Sequence, residues 1–191
     1  MVNKIADIYE CPPDRYLLKF IDTHLDIYYK LGFTPNMITT ISIIVALFSA
    51  YNIFHEKFKL AAILFLFSYY FDCVDGKLAR KFNMQTTFGD YYDHFGDLFK
   101  IFIILYALYK TNTDRFKDVF IILILLFIGL CIHMGYQETI YNKNESSTLN
   151  LFKKLVSSDK TPDKTILYTK YIGCGVFMIV LFIIIFFWKK S

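Results

Sequence analysis

Long apolar runs alternate with short polar stretches along most of this chain. A run of about twenty apolar residues is long enough to cross the hydrocarbon core of a bilayer as a helix. We therefore expect an all-α protein, a polytopic transmembrane helix bundle with five clear spans and at most a short sixth helix near residues 149–156. The five predicted spans cover residues 36–54, 60–80, 88–109, 118–136 and 170–188.

The start of the first span and the segment before it carry local signals. Thr34 followed by Pro35 is typical of a helix N-terminus, with a capping hydroxyl and a proline in the first turn. Residues 16–29 mix apolar and charged positions and predict an amphipathic helix. This helix within the N-terminal segment 1–33 either lies on the membrane surface or packs on the bundle. The segment has no continuous apolar core or cleavage site, so we do not expect a removable signal peptide.

Composition agrees with a membrane protein. The 191 residues are 55% hydrophobic with a mean hydropathy of +0.40, which is too apolar for an ordinary soluble domain of this size. No linker or repeat divides the chain, so residues 1–191 are expected to form one membrane-embedded domain, with its chemistry concentrated in residues 71–100. The four cysteines show no paired spacing, and we expect neither a disulfide nor a zinc site.

The distribution of positive charge predicts the orientation. With five spans and a cytosolic N-terminus, 13 Lys and Arg residues lie on the cytosolic side and 7 on the other. The end of the second span and the start of the third would then face the cytosol, and in a eukaryotic cell the endoplasmic reticulum is the expected membrane. Asn144 begins an N-glycosylation sequon that should stay unmodified on this topology. The modest net charge of +4 does not indicate nucleic-acid binding.

Acidic residues occur near the end of the second predicted span and near the start of the third. Asp72 and Asp75 lie near the end of the second span, and Asp93 and Asp97 near the start of the third. Because residues three and four apart share a helix face, each pair lines one stripe, and the two stripes can face each other. Four carboxylates held together would repel strongly without cations, and oxygen ligands favour Mg²⁺, Mn²⁺ or Ca²⁺. The sequence therefore predicts a metal site.

The complete pattern is D-x2-D-G-x2-A-R-x8-G-x3-D-x3-D. It is filled by the four aspartates together with Gly76, Ala79, Arg80 and Gly89. Its chance frequency is roughly 10⁻⁹ per starting point if each fixed residue occurs at about one in fifteen. The pattern resembles the signature of the CDP-alcohol phosphotransferase family, also called class-I CDP-alcohol phosphatidyltransferases. That family usually has six spans, so the expected five depart from it.

The resemblance implies an enzyme of phospholipid synthesis in which a hydroxyl attacks the phosphorus of a CDP-linked alcohol and CMP leaves. Asp72, Asp75 and Asp93 would hold one or two Mg²⁺ or Mn²⁺ ions. Asp97 would be the general base toward the acceptor hydroxyl. The implied partners are a CDP-linked donor, an acceptor alcohol and membrane lipids, and a homodimer is left open.

Other residues receive roles by the same resemblance. Gly76 and Ala79 would border the CDP moiety, and Arg80 would contact phosphate or an anionic acceptor; a positive-inside anchor is the alternative for Arg80. Pro35, Asn36 and either Thr39 or Thr40 would help to line the nucleotide site.

Two charged or titratable neighbours of the proposed base have open roles. Lys100 could pair with Asp97, meet an acceptor anion or extend to the membrane interface. The imidazole of His94 could neighbour Asp97, and the form D-H-x-x-D is similar to the choline and ethanolamine phosphotransferase branch. The chain length is nearer to the phosphatidylinositol synthase type, so the alcohol stays open. His133, Gln137 and Glu138 could add polar contacts at the same membrane face or be interfacial residues.

The acidic pattern is compatible with more than one function. The leading hypothesis is transfer from CDP-diacylglycerol to an alcohol, and its close alternative is transfer from CDP-choline or CDP-ethanolamine to diacylglycerol. A small cation transporter also places carboxylates within spans, although it would not need the Gly, Ala and Arg positions of the pattern. An inactive relative that scaffolds lipid enzymes is a third reading, against which the complete motif argues.

Overall fold

A computed structural model describes residues 4–141 and 150–190, and all regular secondary structure within these ranges is helical. The helices are α1 (Pro12–Asp22), α2 (Leu25–Lys30), α3 (Pro35–Phe54), α4 (Phe58–Lys81), α5 (Thr87–Thr111), α6 (Thr113–Tyr141), α7 (Asn150–Leu155), α8 (Pro162–Thr169) and α9 (Cys174–Phe186). A 3₁₀ turn at Lys170–Ile172 joins α8 to α9. The all-α fold class is confirmed.

Two threonine caps fix where the helices around the acidic residues begin. The Thr34 side chain accepts a hydrogen bond of 3.3 Å from the Met37 amide at the start of α3, as its sequence predicts. The Thr86 side chain accepts one of 2.9 Å from the Gly89 amide at the start of α5. Because the loop between α4 and α5 is only five residues long, the two halves of the acidic pattern start out adjacent.

Three stretches in the described part of the chain are long and apolar enough to cross a membrane: Pro35–Phe54, Thr113–Tyr141 and Pro162–Phe186. Five were predicted. Helices α4 and α5 have 24 and 25 residues, but the acidic and basic residues of the pattern reduce their apolar character. Helix α6 extends beyond both predicted ends, and the last apolar stretch begins at Pro162 instead of residue 170.

Helix α4 lies at the centre of the bundle. It packs on α3 and α9, and α3 also packs on α5. The core between these helices contains the buried side chains of Ile53, Phe65, Leu108 and Leu181. Gly96 lets α3 and α5 approach closely, since a Cβ there would lie 3.0 Å from Cδ1 of Ile43.

The N-terminal helices are amphipathic, and one face of them packs on the bundle. Ile21 and Leu25 are fully buried in a cluster with Val74 and Leu78 of α4. On the other face, Tyr16 is 68% exposed and neighbours further exposed apolar side chains. Packing on the bundle is thus observed, and contact of the exposed face with a membrane surface stays a prediction. Helix α7 lies where a short amphipathic helix was predicted, whereas the sequon at Asn144 lies outside the described residues.

Candidate functional site

The two halves of the acidic pattern meet. Asp72 and Asp75 come from the last turns of α4, and Asp93 comes from the second turn of α5. One carboxylate oxygen of each residue lies within 4.8 Å of those of the other two. Carboxylate oxygens at such separations can share one divalent ion. The structure therefore brings the three predicted metal ligands together.

Buried polar atoms without a hydrogen-bond partner lie at the acidic cluster. Within the described part of the chain, Asp93 Oδ1 and Arg80 Nε are buried and form no hydrogen bond. Asp97 Oδ1 is also buried; it lies 2.8 Å from Lys100 Nζ but forms no hydrogen bond of regular geometry. Buried polar atoms are rarely left unpaired. A cation beside Asp93 and an anion beside Arg80 would satisfy their unpaired atoms, so the donor set fits the divalent ion that the acidic pattern predicts.

Helix α3 forms a third wall of the site. Thr39 is buried and its Oγ1 donates a 2.6 Å hydrogen bond to Asp75 Oδ2, whereas Thr40 lies 3.0 Å from the hydroxyl of Tyr92. One turn further on, Ser42 Oγ accepts a 3.0 Å hydrogen bond from Lys100 Nζ. Of the two threonines that the sequence left open, Thr39 is the one that contacts the acidic cluster.

Arg80 folds back over Gly76. A Cβ added at Gly76 would lie 3.3 Å from both terminal guanidinium nitrogens of Arg80, which sits one turn later on α4. Side chains on a helix lean toward its N-terminus, so a residue at i+4 covers the surface at i. The glycine therefore leaves the space that the guanidinium occupies beside the acidic cluster.

Gly89 and Ala79 lie at the edge of the cluster. A Cβ at Gly89 would lie 3.1 Å from Oδ1 of Asn36 and 3.0 Å from Oγ1 of Thr86, so the absence of a side chain allows Asn36 of α3 to approach the start of α5. Ala79 is half-buried one turn after Asp75 on α4. The small residue at Gly89 thus allows the starts of α3 and α5 to approach closely.

Lys100 belongs to the acidic cluster. Its ammonium pairs with the carboxylates of Asp72 and Asp97 and is almost completely buried. Of the three roles that the sequence left open, pairing is the one observed. His94 turns away from Asp97: its Nδ1 lies 2.6 Å from the backbone oxygen of Asp90, one turn earlier on α5.

The polar residues at the end of α6 hold the N-terminal segment. Glu138 pairs with Lys4, and Gln137 Nε2 donates a 3.5 Å hydrogen bond to Oε2 of Glu10. His133 Nε2 lies 3.2 Å from the same Gln137 nitrogen. The sequence could assign these residues either to the acidic face or to the interface. Gln137 and Glu138 connect α6 to the start of the chain, and His133 lies 3.2 Å from Thr169 Oγ1.

Sequence reasoning missed Ser42. A signal for it is present, because Thr39, Ser42, Ser49 and Asn52 follow one another at helical spacing and all are buried polar residues in an otherwise apolar span. A polar stripe on an apolar helix indicates a face turned toward other polar groups and away from lipid.

Comparisons with known proteins place this site in a family. The family model for CDP-alcohol phosphatidyltransferase matches residues 33–189. The chain is 25% identical over 143 residues to an uncharacterised protein of Aquifex aeolicus, covering 75% of this chain and 59% of that protein. It is 30% identical over 95 residues to an archaetidylinositol phosphate synthase of Pyrococcus horikoshii, covering 50% of each.

A third relative is the CDP-diacylglycerol–glycerol-3-phosphate 3-phosphatidyltransferase of Rickettsia felis, which is 40% identical over 58 residues, or 30% of this chain and 32% of that one. The chain thus spans about half the length of the curated relatives it matches. No solved structure matches it. The match to most of the chain, together with the intact acidic pattern on α4 and α5, means that this protein belongs to the CDP-alcohol phosphatidyltransferase family.

Proposed function

We propose that the protein transfers a phosphatidyl group from CDP-diacylglycerol to an acceptor alcohol and releases CMP, as a step of phospholipid synthesis. The observation that carries the proposal is the convergence of Asp72, Asp75 and Asp93 from two helices, with carboxylate oxygens within 4.8 Å of one another. The family uses a CDP-alcohol donor and an alcohol acceptor, and it is generally dependent on a divalent metal.

Asp72, Asp75 and Asp93 would hold the ion, which we propose to be Mg²⁺ or Mn²⁺. All ligands would be carboxylate oxygens, the donors that these hard cations prefer. The unpaired Oδ1 of Asp93 supports this assignment because it lacks any other partner in the described residues. When bound, the ion supplies charge neutralisation for the diphosphate.

Asp97 would be the general base. Oδ1 is buried beside Lys100, but 38% of the side-chain surface is exposed, so the carboxylate is accessible to an acceptor hydroxyl. Asp97 would take the hydroxyl proton while the acceptor oxygen forms a bond to the lipid-bearing phosphorus. The bond from that phosphorus to the CMP oxygen breaks, and CMP leaves.

The small residues and Arg80 would position the donor. Gly76 and Ala79 would border the CDP moiety, and Asn36 would help to line it from α3. The unpaired Nε of Arg80 supports a contact with phosphate or with an anionic acceptor, because guanidinium groups bind such oxygens through several donors at once.

The name of the Rickettsia felis relative supports the choice of donor, since it specifies CDP-diacylglycerol. His94, which prompted the CDP-choline or CDP-ethanolamine alternative, lies with its Nδ1 against the backbone oxygen of Asp90. The acceptor is to be determined by assay. Glycerol 3-phosphate and inositol phosphate are the first acceptors to test, as they correspond to the names of the relatives.

We further propose a single domain with five spans, in which α4 and α5 cross the membrane beside the three more apolar stretches. The acidic cluster would face the cytosol, in a eukaryotic cell from the endoplasmic reticulum. The exposed apolar face of α1, including Tyr16 and Phe20, supports contact with the lipid surface. A homodimer would be compatible with this arrangement.

A donor-by-acceptor assay tests the function. Purified protein in mixed micelles receives CDP-diacylglycerol, CDP-choline or CDP-ethanolamine with each acceptor and Mg²⁺ or Mn²⁺, and CMP release is measured. We expect release only with CDP-diacylglycerol, its loss with chelator, and a fall of at least about 10²-fold in Asp97→Asn. Absence of CMP release with every pair, together with cation flux that survives Asp97→Asn in proteoliposomes, would favour a transporter instead.

A further inference from the structure

Lys100 joins three helices at the acidic cluster. It lies on α5, three residues after Asp97, and only 5% of its surface is exposed. Its Nζ pairs with Asp72 of α4, lies 2.8 Å from Asp97 Oδ1 and donates a 3.0 Å hydrogen bond to Ser42 Oγ of α3. Two hydrogen bonds and one further ion pair surround the ammonium group. The charge is therefore held in one place.

The partner on α3 is itself fixed. Ser42 Oγ donates a 2.9 Å hydrogen bond to the backbone oxygen of Ser68, and Ser68 Oγ donates one of the same length to the backbone oxygen of Ser42. The Ser42 hydroxyl therefore donates its proton to a hydrogen bond between α3 and α4, and a lone pair of its oxygen accepts the hydrogen bond from Lys100. Such an arrangement specifies the position of the ammonium and not only its charge.

Lys100 also contacts two of the four carboxylates of the acidic pattern. Oxygens of Asp72, Asp75 and Asp93 converge within 4.8 Å, and Asp97 is not one of that group. Asp97 lies beside Asp72, and Lys100 contacts both of these carboxylates. A cation at this point attracts two of the four carboxylates and repels any further cation that approaches them.

We propose that Lys100 is a positioning residue that holds the base at the edge of the metal ligands. It holds Asp97 away from the ion, and it weakens ion binding because it competes for Asp72. This inference rests on the proposed function for the role of Asp97, but its effect on ion binding is independent of turnover. A lysine that served only to stabilise the fold would leave ion affinity unchanged or reduce it.

The test compares the nucleotide-free protein with Lys100→Met in detergent, using Mn²⁺ as the probe and the electron paramagnetic resonance signal of free Mn²⁺ as the readout. Removal of the positive charge should tighten Mn²⁺ binding by at least about tenfold, since the competing cation is gone. In the same variant, CMP release at saturating Mn²⁺ should fall by at least about 10²-fold, because Asp97 becomes a further ligand and no longer accepts a proton. The opposite directions of the two effects identify the role.

Two further variants separate charge from burial. Lys100→Arg keeps the charge and should bind Mn²⁺ within about threefold of the unmutated protein. Lys77 of α4 is also buried, but it pairs with Asp22 and donates a 3.0 Å hydrogen bond to the backbone oxygen of Leu18, away from the acidic cluster. The Mn²⁺ affinity of Lys77→Met should therefore equal that of the unmutated protein. If Lys100→Met does not yield folded protein, Lys100→Gln serves in its place, since its amide can still donate to Ser42.

Unchanged or weaker Mn²⁺ binding in a folded Lys100→Met or Lys100→Gln would overturn the inference. A lack of CMP release from the unmutated protein with every donor would overturn the proposed function, whereas the Mn²⁺ comparison would still decide the role of Lys100. Full turnover in Lys100→Met, with turnover established in the unmutated protein, would overturn the inference alone.

Discussion

Thr39 Oγ1 donates its hydrogen bond to Asp75 Oδ2 at 2.6 Å, and both residues are buried. The same hydroxyl lies 3.2 Å from the backbone oxygen of Pro35, but it has only one proton and the shorter contact is with the carboxylate. One oxygen of Asp75 is therefore oriented by α3. A carboxylate oxygen of Asp75 also lies within 4.8 Å of oxygens of Asp72 and Asp93.

Thr39→Val should weaken divalent-ion binding. Loss of a hydrogen bond that orients a ligand typically reduces metal affinity by about 10- to 100-fold. We expect a decrease in this range for Mn²⁺, measured on the nucleotide-free protein, and a parallel rise in the Mn²⁺ concentration needed for half-maximal CMP release.

Matched substitutions separate this effect from a general loss of stability. Thr39→Ser keeps the hydroxyl and should retain most of the affinity. Ser49 of the same helix donates a 2.7 Å hydrogen bond to the backbone oxygen of Ala61, far from the acidic residues. Ser49→Ala removes this buried hydroxyl and should not alter Mn²⁺ binding. Equal losses in Thr39→Val and Ser49→Ala would contradict an orienting role.

Gly76→Ala should displace Arg80. The added Cβ would lie 3.3 Å from two guanidinium nitrogens, closer than most carbon contacts, so the guanidinium has to move. If Arg80 binds a phosphate of the donor, the KM for CDP-diacylglycerol should rise by about tenfold, as expected for the loss of one charge-assisted contact. Steady-state kinetics of CMP release measure this, with Mn²⁺ affinity as the control that should stay constant. A change in Mn²⁺ affinity without a change in KM would mean that the methyl group disturbs the carboxylates instead.

Local sequence signals predicted a large part of this fold and site. The Thr34-Pro35 start of α3 and the helical spacing within the pairs Asp72 and Asp75, and Asp93 and Asp97, are properties of neighbouring residues. The structure has helices at these positions, and it brings oxygens of Asp72, Asp75 and Asp93 within 4.8 Å of one another. Helix α6 extends beyond its predicted ends because polar residues such as Thr113 and Glu138 continue its backbone hydrogen bonds although they do not suit a bilayer interior.

Partners far apart in the sequence could not be predicted in this way. The spacing of Lys100 was compatible with pairing, anion binding or extension to the interface, and only the burial of the side chain against α3 and α4 decides for pairing. Likewise His94 and Asp97 share a face by spacing, but the rotamer of His94 directs it to Asp90. Glu10 had no local signal for burial, since its surroundings come from α6.

Asp14→Ala should destabilise the protein. The Asp14 carboxylate on α1 accepts a hydrogen bond from the hydroxyl of Tyr69 on α4 and one of 3.0 Å from the amide of Gly175 on α9. Its removal leaves two buried donors without an acceptor, at a cost of about 2–5 kcal/mol in the free energy of unfolding. Thermal or denaturant unfolding in detergent measures the change.

Asp26→Asn is a suitable comparison, because Asp26 pairs with Lys81 at the surface and should contribute less than about 1 kcal/mol. Similar stabilities of the two variants would mean that α1 does not unfold together with the bundle.

Glu10 should make the docking of the N-terminal segment depend on pH. Burial raises the pKa of Glu10 from 4.5 to about 7, and the neighbouring Asp14 carboxylate adds to the rise. Below about pH 4.5 the carboxyl is protonated in both the docked and the released segment, so it contributes no pH dependence. Between pH 4.5 and 7 the docked state keeps a proton that the released state has lost, so docking weakens as pH rises.

Glu10→Gln removes this titration. Relative to the unmutated protein, the variant should therefore gain docking stability as pH increases from about 4.5 to 7, by up to about 3 kcal/mol in total, and the difference should then level off. Any fixed effect of the amide on packing adds the same amount at every pH, so the slope of the difference is the quantity to measure. Hydrogen exchange of the amides in residues 4–11, recorded across this pH range and corrected for the intrinsic exchange rate, provides it. A difference between the two proteins that does not vary with pH would mean that Glu10 is ionised while docked, held by the nearby positive charges of Arg80 and Lys4 instead of by a proton.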